Sequence, residues 1–439
     1  MADSSRSRPM SPKLLAVAER ARREPEGKFH SLAHLLDEEA LSRAYHRLHR
    51  KAAVGVDGVD KDAYGQERQS KLRDLHERLR TKRYRHQPIR RVHIPKDDGS
   101  TRPLGISTVE DKIVQGALKE VLEAVYEQDF QECSYGFRPG RSAHDALRSV
   151  NQTAFRGQIS CILEADIKSY FDSIRHPELQ EMIAKRVPDG SIRRLVGKCL
   201  RAGILEGEDW ESPDKGAPQG SVLSPLLGNI YLHHVLDRWF EAEVRPRLRG
   251  RALLVRYADD FVIAFEDPRD AERVMAVLPK RMERFGLSLH PDKTRIVPFR
   301  RPPRTQQRGT GPGTFDFLGF TLHWRRTRGG RWQLAYKTRR ARLERAVQGV
   351  YDFCRRHRHR PIAEQHEGLT RRLRGHYNYF GVNGNIRSLR ILAYKAEHAW
   401  FIWLNRRSQR SRLTRERYRD FLADWPVLQP RIVVQVWAT

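Results

Sequence analysis

The chain of 439 residues contains few cysteines and lacks any long hydrophobic run. Its four cysteines (Cys133, Cys161, Cys199 and Cys354) are far apart and form no CxxC pair, which argues against a disulfide framework and against a cysteine zinc site. No apolar run approaches the roughly 20 residues that a membrane span needs, and the N-terminus has no apolar signal core. We therefore expect an unexported, cytoplasmic protein that binds neither a membrane nor zinc.

Negative charge is also scarce. The chain has 83 Lys and Arg against 54 Asp and Glu, a net charge of +29, and a polyanion such as nucleic acid would relieve this self-repulsion. From Arg300 onward there are 31 basic and 9 acidic residues, so this part carries 22 of the 29 net charges. A membrane surface or an arginine-rich proteome are the alternatives. We expect an acid-containing body and a basic tail domain, in a bacterial protein associated with the nucleoid.

Hydrophobic patterns divide the chain into segments, and its length predicts two or three domains. Residues 1–28, rich in Ser, Arg, Pro and Glu, predict a flexible arm. Helical spacing predicts a helix or helix pair over 32–49 and a helix over 72–84, whereas alternation predicts a strand over 89–95 with a turn at 96–99. The remaining predictions are a helix over 109–126, a strand over 161–167, a helix over 223–240, a hairpin over 253–265, a strand over 317–324 and helices after Thr338.

Two acidic motifs stand at strand ends. The apolar run 161–163 leads into Asp166, and the hairpin places Asp259 and Asp260 in its turn. A carboxylate at the end of a buried strand is unfavourable without a partner, and adjacent acids repel unless divalent cations lie between them. Such ligands suit Mg²⁺, and two Mg²⁺ ions about 4 Å apart can clamp a phosphoryl displacement. The hairpin acids alone are weak evidence, because acids are ordinary in solvated turns.

The order of the motifs resembles that of a known family. Residues 88–324 resemble the fingers and palm of group II intron reverse transcriptases, and seven runs occur in the family's order. The runs are residues 93–106, Tyr135-Gly-Phe-Arg-Pro-Gly140, residues 165–174, Gly216-Ala-Pro-Gln-Gly-Ser-Val-Leu-Ser-Pro225, Tyr257-Ala-Asp-Asp260, residues 286–294 and Phe317-Leu-Gly-Phe320. Leu373-Arg-Gly-His-Tyr-Asn-Tyr-Phe-Gly381 further resembles the maturase, or thumb, domain of that family.

The resemblance implies an α+β fold, a right-hand polymerase with α/β fingers and palm followed by an all-helical thumb. The implied divisions are a flexible arm at 1–28, a helical extension at 29–87, fingers and palm at 88–330, a thumb at 331–410 and a short basic, DNA-contacting segment at 411–439.

The family's catalytic roles fall on matching positions. The resemblance makes Asp166, Asp259 and Asp260 the catalytic acids. Asp166 and Asp259 would bind both Mg²⁺ ions directly, Asp260 would be more peripheral, and Ile167 would lend a backbone carbonyl.

Five other positions would meet the nucleotide or the template. Lys96 and Arg102, on the two arms of a fingers hairpin, suit the triphosphate, with a pair of surface cations as the alternative. Phe171 matches a ring under the sugar that excludes a 2′-hydroxyl, with a core aromatic as the alternative. Gln219 lies in a turn where glycine lets the backbone approach nucleotide and template. Lys293 would act as a general acid toward pyrophosphate or would only neutralise charge, and the sequence leaves both open.

The resemblance implies an RNA-directed DNA polymerase that copies intron RNA from a DNA primer with deoxynucleotides and assists splicing of the intron. Arginines interleaved with aromatics such as Trp400 and Trp403 predict a surface for an RNA–DNA duplex and intron RNA. No cysteine follows Cys354, so we expect no H-N-H endonuclease with paired cysteines. The primer would then be made elsewhere, for example at a replication fork.

Three alternatives stay open. The first is an RNA-binding maturase without polymerase activity, which the intact acids disfavour. The second is a domesticated reverse transcriptase in phage defence or CRISPR adaptation, which often carries fused domains or a degraded thumb. The third is an RNA-dependent RNA polymerase, which an aromatic ring at Phe171 disfavours.

Overall fold

The structure is a computed structural model that describes residues 10–95, 101–156, 158–206, 209–211, 214–303, 313–408 and 413–437. The α-helices of these residues are α1 (Pro12–Arg23), α2 (Glu38–Arg47), α3 (Lys61–Gln66), α4 (Arg68–Arg80), α5 (Val109–Tyr126), α6 (Ala143–Arg156), α7 (Tyr170–Ser173), α8 (His176–Arg186), α9 (Gly190–Leu200), α10 (Ser224–Leu232), α11 (Pro268–Arg284), α12 (Arg340–His357), α13 (Ile362–Phe380), α14 (Ile386–Asn405) and α15 (Arg415–Asp424). The strands are β1 (Ile89–Pro95), β2 (Thr101–Ile106), β3 (Cys161–Asp166), β4 (Ile204–Glu206), β5 (Asp209–Glu211), β6 (Ala252–Tyr257), β7 (Asp260–Phe265), β8 (Arg295–Pro298), β9 (Phe315–Phe317), β10 (Phe320–Arg326) and β11 (Trp332–Thr338).

Helix α5 is the central helix of the N-terminal half. It begins at Thr108, whose hydroxyl accepts a hydrogen bond from the amide of Asp111 and so satisfies a free donor of the first turn. Buried residues such as Leu118 and Val121 follow its whole length, and α1 and α2 pack on it. The prediction of a flexible arm over 1–28 is therefore wrong for residues 12–23, because α1 has an apolar stripe that the core buries.

The sheet that carries the acidic motifs has the order β6-β7-β3-β8, and every pair in it is antiparallel. Strand β3 is central and almost entirely apolar, because it is buried between the hairpin β6–β7 and β8. Registry places Asp166 opposite Asp260, at the end of the sheet where the hairpin turns.

Two smaller sheets flank this one. The hairpin of β1 and β2 is antiparallel, β4 joins β1 in parallel, and β5 completes the order β2-β1-β4-β5. The third sheet has the order β11-β10-β9. The mixed helix-and-strand fold that the sequence predicts is thus confirmed.

Helices α12, α13 and α14 form a separate apolar core that includes Leu373, Leu392 and Trp400. After α15 the chain returns to the strands: the indole of Trp437 donates to the carbonyl of Leu334 on β11, at 2.8 Å. None of the helices in the described part of the chain is long and apolar enough to span a bilayer.

Three predictions of local structure need correction. The helix predicted over 223–240 ends as an α-helix at Leu232 and continues in π-helical turns at His233–Asp237 and Phe240–Val244. The strand predicted over 317–324 is two strands, since Leu318 and Gly319 both have positive φ (54° and 78°) and form a turn. The third correction concerns Asp260, which begins β7 rather than lying in the turn.

Candidate active site

The hairpin turn between β6 and β7 holds the first acid. Tyr257 pairs with Asp260, so only Ala258 and Asp259 lie outside the ladder. Such a tight turn requires positive φ, and Ala258 adopts 57° although its Cβ disfavours that region. Gly136 lies against this turn so closely that a Cβ there would be 2.4 Å from the amide nitrogen of Ala258.

A buried guanidinium supports the turn from below. Arg256 donates to the carbonyl of Ala258 at 3.0 Å and makes a two-point ion pair with Asp237 at 2.8 and 2.6 Å. Its remaining donors reach the side chains of Asn229 (3.0 Å) and Ser134 (2.8 Å). All five N–H donors of the guanidinium are used, and both members of the ion pair are completely buried.

The second acid stands at the end of β3. The backbone carbonyl of Asp166 accepts from His290, and the amide of Lys168 donates to Ser288. These bonds flank Ile167 and leave its own carbonyl outside this pairing. The ammonium of Lys293 lies 2.7 Å from a carboxylate oxygen of Asp166.

The three acids perturb one another. Burial raises the pKa of Asp259, and the charge of Asp166 raises it further, whereas Arg102 and Lys293 oppose the shift. Burial also raises the pKa of Asp260 to about 7, although the amide of Leu318 donates to its carboxylate at 3.2 Å. These acids therefore hold negative charge only with a cation close by.

This electrostatic pattern fits a divalent metal ion. Carboxylate oxygens are the ligands that such ions prefer, and Lys293 already supplies one positive charge at Asp166. Within the described residues, no three His, Cys, Asp or Glu side chains are already gathered as metal ligands. The acids would therefore have to close around an ion when it binds.

The loop before α10 links the other predicted residues. The amide of Ala217 donates to the carbonyl of Phe171 at 2.8 Å, and the amide of Gly105 on β2 donates to the carbonyl of Gln219 at 2.6 Å. The amide group of Gln219 also approaches the carboxylate of Asp172 at 3.3 Å. This loop therefore joins the β1–β2 hairpin to the segment that follows β3.

The rings and cations of this region differ in exposure. Phe171 is half-buried and packs under Gly228, while Arg102 is exposed on β2 and close enough to lower the pKa of Asp259. Lys96 lies outside the described residues. The structure thus gathers the three acids with Arg102 and Lys293.

The sequence interpretation missed the support beneath the acids. Arg256 shares a strand face with the fully buried Leu254, so a charged residue in an apolar run was the available signal. Asp237 gave no such signal, because only the π-helical turn brings it to Arg256.

Comparison with known proteins agrees with this geometry. Residues 94–322 match the family model described as reverse transcriptase (RNA-dependent DNA polymerase). The chain belongs to the reverse transcriptase family. That membership confirms the expected enzyme class and implies an RNA template, nucleic-acid substrates and divalent metal ions.

Individual relatives point to intron-encoded members. The protein YkfC of Escherichia coli K12 is 34% identical over 309 residues, covering 63% of this chain and 77% of that protein. The group II intron-encoded protein LtrA of Lactococcus lactis is 38% identical over 197 residues, covering 45% of this chain and 32% of LtrA. An uncharacterised 91 kDa protein in the cob intron of Schizosaccharomyces pombe is 36% identical over 315 residues, covering 60% and 39%. The resemblance to group II intron reverse transcriptases is thereby confirmed, although the matches span only about a third of the two intron proteins.

Proposed function

We propose that this reverse transcriptase copies a group II intron RNA into DNA by adding deoxynucleotides to a primer 3′-hydroxyl. The observation that carries the proposal is the register of β3 with β7, which sets Asp166 beside Asp259 and Asp260. Asp166 and Asp259 would hold two Mg²⁺ ions, with the carbonyl of Ile167 assisting and Asp260 behind them. When bound, the ions would supply the acidity that activates the hydroxyl and the charge that stabilises pyrophosphate.

The cations around the acids would receive the triphosphate. Arg102 and Lys293 both act electrostatically on Asp259, so a phosphate near that carboxylate lies within reach of both charges. Lys96 would join them from the other arm of the hairpin. Lys293 is half-exposed and already bonded to Asp166, which suits a group that neutralises charge or donates a proton to the leaving pyrophosphate.

Phe171 would select the sugar. The carbonyl of Phe171 is fixed by Ala217, and its ring is wedged against α10 near Gly228, so the ring has little freedom to yield to a 2′-hydroxyl. Gln219, on the same loop, would contact the nucleotide or template. Both roles favour deoxynucleotides as substrates.

The right-hand division follows from the sheets. The β1–β2 sheet with its helices would be the fingers, the β6-β7-β3-β8 sheet the palm, and α12–α14 the thumb. Residues 29–87 would extend the fingers, and the thumb would begin at Arg340 rather than 331, because β11 pairs with β10. Residues 411–439 would contact DNA.

A second role is proposed because this chain resembles LtrA, a group II intron-encoded protein. The excess positive charge after Arg300 would hold folded intron RNA, so that the protein assists splicing and mobility as a maturase. Splicing of the cognate intron in low Mg²⁺, with and without the protein, tests this role separately.

Primer extension on an RNA template with deoxynucleotides and Mg²⁺ tests the polymerase. Asp259→Ala should abolish extension while circular dichroism shows a folded protein. Asp292→Ala is the matched control, because its carboxylate is 88% exposed and is not one of the three acids. A folded wild type that binds RNA but extends no primer would replace the polymerase with the maturase alone.

A further inference from the structure

Phe137 combines two unfavourable features. Its φ is 58°, in the left-handed region that a bulky side chain disfavours, and its side chain is 47% exposed. A residue held in this way persists only where its surroundings determine its position, and such residues cluster at functional sites. The question is what the exposed ring is held for.

The backbone on both sides of Phe137 is anchored. The carbonyl of Gly136 accepts from the side chain of Asn229 at 2.7 Å, and Asn229 in turn accepts from Arg256 beneath the catalytic turn. On the other side Arg138 is buried and pairs with Glu127 at 2.9 Å. The position of the ring is therefore coupled to the same network that supports Asp259.

The ring lies next to the acids. Its centroid is 6.3 Å from that of Tyr257, the residue before the catalytic turn. The segment that carries Phe137 pairs with β6 through Ser134 and Arg256, on the side of β6 away from β3. Lys293 precedes β8, at the opposite side of the sheet. The acids thus lie between the triphosphate cation and Phe137.

We propose that Phe137 is a nucleic-acid contact that stacks on the nucleotide at the growing end of the RNA–DNA duplex. The inference rests on the proposed polymerase function. If the triphosphate lies toward Lys293, the newly paired end of the duplex lies across the acids, where the exposed ring is. An aromatic ring stacks on any base face, so the contact is independent of sequence. The stacked base belongs either to the primer or to the template.

The first test measures the dissociation constant of an RNA template–DNA primer by fluorescence anisotropy. Phe137→Ala should raise it roughly 5- to 150-fold, the range that loss of one base–aromatic stack gives. Phe137→Trp should keep wild-type affinity. An abasic residue at the primer end or at the paired template position identifies the partner, because Phe137→Ala should add no further loss when its partner base is absent.

Phe137→Gly separates contact from structure. Glycine accepts positive φ without strain, so this variant should unfold at the same temperature as the wild type or higher, yet bind as weakly as Phe137→Ala. Val277→Ala is the matched control, because Val277 is a comparably exposed apolar residue (44%) on α11. It should leave binding unchanged.

Two results would overturn the proposal. One is unchanged affinity in Phe137→Ala, and the other is an affinity loss in Phe137→Gly that accompanies an equal loss of thermal stability. Because binding is measured without chemistry, a wild type that binds the duplex but extends no primer would count against the polymerase function and leave the test of Phe137 intact.

Discussion

The ion pair beneath the catalytic turn gives the sharpest prediction. Asp237→Ala leaves the guanidinium of Arg256 buried with two of its five hydrogen bonds lost. Breaking a buried pair by removing one partner typically costs about 3–5 kcal/mol, because the remaining charge has neither water nor counter-charge. Both side chains are 0% exposed, so no relief from solvent is expected and the free energy of unfolding should fall by about that amount.

The same variant should slow catalysis. The guanidinium that loses its partner also holds the carbonyl of Ala258, next to Asp259. A displacement of about 1 Å at a reacting group can reduce the rate about 100-fold. Single-turnover primer extension, at a temperature where urea denaturation shows the variant to be folded, should therefore be slower by roughly 10- to 100-fold.

The double variant Arg256→Met, Asp237→Leu separates stability from positioning. Apolar residues of similar volume often replace a buried ion pair without loss of stability, so the double variant should regain most of the unfolding free energy. It should not regain the rate, because methionine donates no hydrogen bond to Ala258. Glu266→Gln, at the exposed pair with Arg251, is the control and should change neither quantity. Recovery of both quantities in the double variant, or a loss below about 1 kcal/mol in Asp237→Ala, would refute the reasoning.

Three further predictions concern other parts of the chain. Phe171→Ala should raise incorporation of ribonucleotides relative to deoxynucleotides roughly tenfold or more, measured as the ratio of kcat/KM in primer extension. Gly220→Ala should lower the free energy of unfolding by more than about 1 kcal/mol in urea, because Gly220 has φ 102° and a Cβ would lie 2.7 Å from the carbonyl oxygen of Gly105. Burial lowers the pKa of His376 from 6.5 to about 4, so the stability that its neutral form contributes is present above pH 6.5 and is lost as the pH falls toward 4. His376→Phe should remove that part of the loss in thermal unfolding followed across this pH range.

Elements with a strong local pattern were predictable from the sequence. The bounds of β1 and α5 agree with prediction at both ends, because alternation and a capped apolar stripe are local signals. The three acids were also predictable as a group, since each stands at the end or turn of an apolar strand. Their mutual placement came from the family resemblance, because strand order is not a local property.

The misses have a common cause in tertiary contacts. The π-helical turn at His233–Asp237 follows an apolar pattern that an α-helix would share, so no periodicity signals it. The turn at Leu318 is obscured because leucine rarely takes positive φ. Helix α1 was read as loose from its composition, although its apolar stripe packs on α5. In each case a partner distant in sequence decides the local conformation.

Backbone strain is concentrated around the acids. In the described part of the chain five residues other than glycine have positive φ; one of them, Lys82, follows α4, and the other four adjoin the site. Ala258 precedes Asp259, Ser169 begins the helical turn that carries Phe171, Leu318 donates to Asp260, and Phe137 lies beside Tyr257.

Local preference would relax each of these four residues, so contacts from elsewhere must hold them. Arg256 holds Ala258, and the hydroxyl of Tyr379 on α13 donates to the carbonyl of Leu318 at 3.0 Å. The second contact couples the C-terminal helices to Asp260 through a single turn. A substitution that loosens either contact should therefore reduce polymerase activity before it unfolds the protein, because the strained turns have the most to gain by relaxing.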